Sequence, residues 1–168
     1  MNIGKELPLI NQTDINGYLI YTYPYSILNT FPEYKDYLME NYIQCFGFIN
    51  ESNDIAFEYE DGIGYNNMFS DPGPFDFFFY PYKVGLRLNI KDTVISAINN
   101  NYYVVVFTDE YYVKNRPSYK KTHFLHEIII TSYDKNIFTC LAFDENHKLS
   151  FSSFPQSNIN KAYKRGNK

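Results

Sequence analysis

The pattern of apolar and polar positions divides the chain into a helical first part and a β-rich second part. Residues 17–31 are apolar on several faces, as in a mostly buried helix that Pro24 kinks or interrupts. Residues 31–48 begin with Pro32 and carry acidic side chains in their first turn, which predicts a second helix with Cys45 at its end. Alternation over residues 54–59 predicts a short strand.

The second part reads as one helix followed by strands. Residues 89–101 predict a helix that Asn89 caps. Four β segments are then expected, over residues 102–113, 126–133, 136–143 and 148–154. After them, "SNINKAYKR" is interpreted as a last short helix. Helices followed by an antiparallel sheet are typical of an α+β domain.

Length, charge and cysteine content narrow the class of protein. With 168 residues, the sequence predicts a single domain over residues 1–168. A net charge of -4 argues against nucleic acid and anionic membrane surfaces as partners. No run of about 18 apolar residues is present, and the first residues lack the apolar core of a signal peptide, so we expect a cytoplasmic protein. Two cysteines are too few for a disulfide framework.

The candidate chemistry lies in the hairpin that residues 126–144 predict. A three-residue turn centred on Lys135 places His126 directly opposite Asp144, within reach of an imidazole–carboxylate hydrogen bond. An aspartate in that position fixes the histidine tautomer and raises its basicity. The alternative is an ordinary sheet that carries a surface aspartate. A zinc site at His123 and His126 is the weaker interpretation, because residues three apart in a strand face opposite sides.

These segments together resemble papain-like cysteine-protease folds. The segments that carry the resemblance are "YYVVVFTDEYYV", "YKKTHFLHEIIITSYD", "LAFD", "FSSF" and "INKAY". The chain looks like the branch found in natural-product gene clusters, similar to the butirosin acyltransferase and to amide-forming enzymes of thioamide and non-ribosomal peptide pathways; double-glycine peptidases share the layout. The resemblance implies N-terminal helices packed on a C-terminal antiparallel sheet. It also implies His126 as general base, Asp144 as its orienting partner, and no cofactor.

The resemblance further implies a nucleophilic cysteine at the start of the first buried helix, where the helix dipole lowers the thiol pKa. The position that corresponds to it is Gly17, which has no side chain. Cys45 is the alternative thiol, and Thr22 and Ser26 are weaker candidates inside the first helix.

Two classes of function follow from these residues. The first is an acyl-transfer or amide-forming domain that accepts a thioester from an acyl or peptidyl carrier protein and passes the acyl group to an amine. The second is a non-catalytic domain of the same fold, which binds a partner or an acyl chain through the aromatic loop of residues 66–82. A buried strand is the alternative interpretation of "FDFFFYPY" within that loop.

Overall fold

A computed structural model describes residues 4–11, 19–36, 39, 45–49, 55–59 and 89–166. The chain forms two compact units. One combines Met1–Gln12 with Lys83–Lys168, and the other is Thr13–Tyr82. Gly17 and the aromatic loop of residues 66–82 lie outside the described residues, so both predictions that involve them stay predictions.

The inserted unit, Thr13–Tyr82, contains a helix and a two-stranded sheet. Helix α1 (Leu19–Leu28) carries Pro24 in its interior and ends near the predicted boundary. Thr22 and Ser26 are fully buried on it, so a substrate would not reach either hydroxyl.

Cys45 was predicted at the end of a helix, and that prediction is wrong. It is the first residue of strand β2 (Cys45–Ile49), which pairs antiparallel with β3 (Ile55–Tyr59). Aromatic and β-branched residues are frequent in both segments, and such residues favour a paired strand over a helix end. The strand predicted over residues 54–59 is confirmed.

The larger unit contains a five-stranded antiparallel sheet. Its strands are β1 (Lys5–Glu6), β4 (Val104–Asp109), β5 (Leu125–Asp134), β6 (Ile137–Phe143) and β7 (Leu149–Pro155). Strand β5 is central: β6 lies along one edge, while β4 and β1 share the other edge at its two ends. The four predicted β segments are therefore confirmed as strands of one sheet.

Two helices accompany this sheet and close its core. Helix α2 (Ile90–Asn99) is capped as predicted, since the Asn89 side chain accepts a hydrogen bond from the Lys91 amide. Helix α3 (Gln156–Gly166) packs against β4. Apolar residues of both helices meet the sheet in one cluster that includes Val94, Ile159 and Ile128. The prediction of an α+β domain with an antiparallel sheet is confirmed; in the described parts of the chain, no helix is long and apolar enough to cross a membrane.

Candidate functional site

The hairpin of β5 and β6 reaches the predicted register by an unexpected route. Its turn has two residues, Lys135 and Asn136, because Asp134 already pairs with Ile137. A β-bulge between Ile130 and Ser132 then shifts the register by one residue. Beyond the bulge, Ile130 pairs with Cys140, which is the symmetry about Lys135 that the sequence predicts. The bulge thus compensates for the shorter turn.

The His126 ring nevertheless bonds to a different carboxylate from the predicted one. Its Nδ1 lies 2.9 Å from Oε1 of Glu110, the residue that follows β4. His126 pairs with Thr108 across the β4–β5 ladder, and the Glu110 amide donates to the Phe124 carbonyl just beyond that ladder. Glu110 therefore lies diagonally across the two strands from His126, within reach of its ring.

Asp144 instead closes the turn between β6 and β7. Its Oδ1 accepts hydrogen bonds from the amides of Asn146 at 2.8 Å and Lys148 at 3.0 Å. These bonds, the Lys148 bond foremost, lower the pKa of the Asp144 carboxyl. The predicted hydrogen bond between His126 and Asp144 is therefore wrong, because β6 ends at Phe143 and Asp144 satisfies the backbone of its own turn. The catalytic roles that the resemblance implies for Gly17 and His126 stay predictions. The orienting role implied for Asp144 is not supported, because Nδ1 of His126 bonds to Glu110 instead.

Glu110 is buried and accepts three hydrogen bonds. Its side chain is 1% exposed, and its Oε1 accepts from Nη2 of Arg116 at 2.9 Å as well as from His126. Its Oε2 accepts from the Ser118 amide at 3.2 Å. Burial raises the pKa of Glu110, but the His126 hydrogen bond and the Arg116 charge outweigh it, so the pKa lies below its ordinary value. The carboxylate is therefore ionised at neutral pH.

The ionised state of Glu110 determines which ring nitrogen of His126 carries the hydrogen. An ionised carboxylate can only accept hydrogen bonds, so Nδ1 of His126 carries the hydrogen and donates it to Glu110. In the neutral ring, Nε2 then holds the lone pair. Among the described residues, the carboxylate oxygen nearest to Nε2 belongs to Glu127 and lies 3.9 Å away, which is beyond hydrogen-bonding distance. His126 thus has the geometry of a general base whose basic nitrogen is Nε2.

Arg116 ties this pair to the end of β6. Its side chain is 2% exposed, and while Nη2 binds Glu110, Nη1 donates to the carbonyl oxygen of Phe143. The guanidinium therefore compensates the buried carboxylate and fixes its direction. Arg116 acts on His126 only through Glu110, so its role is that of a positioning residue.

A cleft of about 230 Å³ opens beside this network. The described side chains around it come from the segment between β4 and β5, from β5, from the end of β6 and from the β6–β7 turn. They are Glu110, Pro117, Ser118, Phe124, His126, Phe143 and His147. The rings of Phe124 and His126 have centroids 5.2 Å apart, and the His126 side chain is 25% exposed. The imidazole is therefore accessible from the cleft.

A second histidine–carboxylate pair lies next to the first in the sequence. Nδ1 of His123 is 2.7 Å from Oδ2 of Asp109, and the ring stacks on Tyr111 with 4.4 Å between centroids. The other Asp109 oxygen accepts from the amides of Tyr111 and Phe124, so this carboxylate also caps the turn after β4. His123 is 65% exposed and does not line the cleft. Among the described residues, no three histidine, cysteine or acidic side chains are grouped as metal ligands.

Cys140 is unsuited to act as a nucleophile in the folded protein. It lies on β6, fully buried in the core. Burial raises the pKa of its thiol far above the ordinary value, so the thiol stays protonated.

Sequence reasoning missed Glu110, Asp109 and Arg116. The segment 102–113 was interpreted as a single strand, in which Glu110 would be one residue among many. In the structure β4 ends at Asp109 and a 3-10 turn, Glu110–Tyr112, follows it. Two consecutive acids before a turn, with two histidines at the start of the next strand, were the signal that could have identified both pairs.

No family model, no curated protein and no solved structure matches this chain.

Proposed function

We propose that this chain is an acyl-transfer or amide-forming domain of the papain-like type, which acts on a carrier-bound thioester in natural-product biosynthesis. The observation that carries the proposal is the hydrogen bond between Nδ1 of His126 and the buried Glu110 carboxylate, beside an open cleft. This arrangement leaves Nε2 as the basic atom, and a base of this kind accelerates proton transfer by about 10²–10⁴-fold.

The proposed step needs no cysteine. The nitrogen of an amine attacks the thioester carbonyl, and His126 Nε2 takes the proton that the nitrogen loses. The carbon–sulfur bond breaks, and the imidazolium returns the proton to the departing thiolate. The products are one amide and one thiol, and the base is regenerated. Gly17 is consistent with this route, because direct transfer to the amine forms no acyl-enzyme.

The test is amide formation from a short acyl-pantetheine thioester and a primary amine, followed by mass spectrometry. His126→Gln should reduce the enzyme-dependent rate by about 100-fold or more. His123→Gln is the matched control, because it removes another carboxylate-bound histidine that does not line the cleft. The control should retain the rate of the unaltered chain.

Two outcomes would overturn this proposal. One is equal loss of activity in both variants, which would indicate a structural effect shared by the two pairs. The other is no amide formation by the unaltered chain under any acyl donor tested. That second result would favour the non-catalytic domain of the same fold.

A further inference from the structure

We infer that the cleft accepts a short, uncharged acyl group and leaves the rest of the thioester outside. This inference rests on the proposed function, because it names the substrate class of the same site. It depends on three features of the cleft: its size, its apolar walls and the pairing of its charges.

Size sets the upper limit on the acyl group. The cleft volume is about 230 Å³. At about 30 Å³ for each water-sized group, this space holds roughly eight non-hydrogen atoms. Pockets for drug-sized ligands typically run from about 300 Å³ to 1,000 Å³, so this cleft is smaller than they are. It matches an acyl group of about six carbons and its carbonyl oxygen, and not a whole pantetheine arm or a peptide.

The walls favour an apolar chain. Pro117, Phe124 and Phe143 supply carbon surface to the lining, and the Phe124 ring lies against the ring of His126. Phe124 is 49% exposed, so a ligand in the cleft can cover its free face. Burial of apolar surface of this kind is the main source of affinity for a hydrocarbon chain.

The charges in the cleft argue against an acid at the far end of the acyl group. Among the described residues that line it, Glu110 alone carries a permanent charge, and Arg116 compensates that charge. Arg116 itself does not line the cleft, and its two terminal nitrogens point to Glu110 and to the Phe143 carbonyl. A carboxylate brought into the cleft would lose its hydration without gaining this guanidinium as a partner.

The experiment measures binding, so that its result does not depend on turnover. The ligands are acyl-pantetheine analogues in which an NH replaces the thioester sulfur, and the acyl groups are acetyl, butanoyl, hexanoyl, dodecanoyl and glutaryl. Binding is followed by the NMR signals of the His126 ring during titration. Glutaryl matches hexanoyl in size and adds one negative charge.

Affinity should rise by about fourfold for each methylene up to hexanoyl, because each added group is buried. It should then level off, since further methylenes stay outside the cleft. Glutaryl should bind at least about tenfold more weakly than hexanoyl. Phe124→Ala should weaken hexanoyl binding, whereas Phe151→Ala should not, because Phe151 is a similarly exposed phenylalanine on β7 that does not line the cleft.

Three results would overturn the inference: affinity that keeps rising to dodecanoyl, equal binding of glutaryl and hexanoyl, or no binding of any analogue. The proposed function fails separately. If the analogues bind in the expected order while the matching thioesters give no amide, the substrate class stands and the transfer reaction is refuted.

Discussion

Replacement of Glu110 by glutamine tests the buried network most directly. The change keeps the size of the side chain and removes its charge, so Arg116 is left 2% exposed with no anionic partner. Breaking a buried ion pair in this way typically costs about 3–5 kcal/mol. That is a large share of the roughly 5–15 kcal/mol that stabilises an ordinary domain. We therefore expect the free energy of unfolding to fall by about 3–5 kcal/mol.

The assay is urea unfolding followed by tyrosine fluorescence and circular dichroism, since the chain has no tryptophan. In thermal unfolding, the melting temperature of Glu110→Gln should be lower than that of the unaltered chain by about 6–20 °C, at roughly 2–4 °C for each kcal/mol in a chain of this size. Glu145→Gln is the control: Glu145 is exposed in the β6–β7 turn, so its replacement should cost no more than about 0.5 kcal/mol.

A double variant separates lost pairing from lost packing. Arg116→Met alone leaves Glu110 buried without its cation, and it should also destabilise the fold. Glu110→Gln combined with Arg116→Met removes both charges, so it should be more stable than the sum of the single losses predicts, by about 0.5–3 kcal/mol. Single losses below about 1 kcal/mol, or strict additivity, would refute the interpretation of this pair as a buried, coupled unit.

Three further predictions concern pH and the thiols. Folding lowers the pKa of Glu110 below its ordinary value of 4.5, so the stabilisation by this carboxylate should be complete above pH 4.5 and decrease as pH falls through the folded pKa. Urea unfolding at a series of pH values should show this acid-dependent loss in the unaltered chain and not in Glu110→Gln. Gly17→Cys should form an acyl adduct with an acyl-pantetheine thioester, which intact-protein mass spectrometry detects. An adduct on the unaltered chain that disappears in Cys45→Ala would contradict the assignment of Gly17 to the nucleophile position. Iodoacetamide should modify Cys140 only after unfolding, and rapid modification of the native protein would contradict its burial.

Regular elements were predictable where side-chain alternation and capping act locally. Strand β5 has an unbroken Ile128–Ile130 run, and helix α2 has its cap at Asn89, so both could be predicted from short segments. The strand that begins at Cys45 was less predictable, because its conformation depends on pairing with a second strand, in which the partner of Cys45 itself is Tyr59. Local propensity alone does not decide such a segment.

The site shows a different limit of sequence reasoning. Symmetry about Lys135 gave the right register beyond the bulge, but the pairing of His126 was decided by the other edge of β5. Glu110 precedes His126 by 16 residues, and only the β4–β5 pairing brings them together. A central strand has two neighbours, so the register of one hairpin cannot identify which carboxylate meets a side chain at its end.

The stability of the fold does not by itself account for the buried network. Replacing a buried ion pair by apolar residues of similar volume is often neutral or stabilising. Two apolar side chains in place of Glu110 and Arg116 would therefore stabilise the fold at least as well. The pair has a directional effect instead. The His126 hydrogen bond and the Arg116 charge lower the pKa of Glu110, and the ionised Glu110 holds the hydrogen on Nδ1 of His126. An apolar pair could not set that tautomer. The energetic argument and the geometry therefore both indicate that the network serves the imidazole, and the His126 Nε2 atom beside the cleft is where its chemistry should be sought.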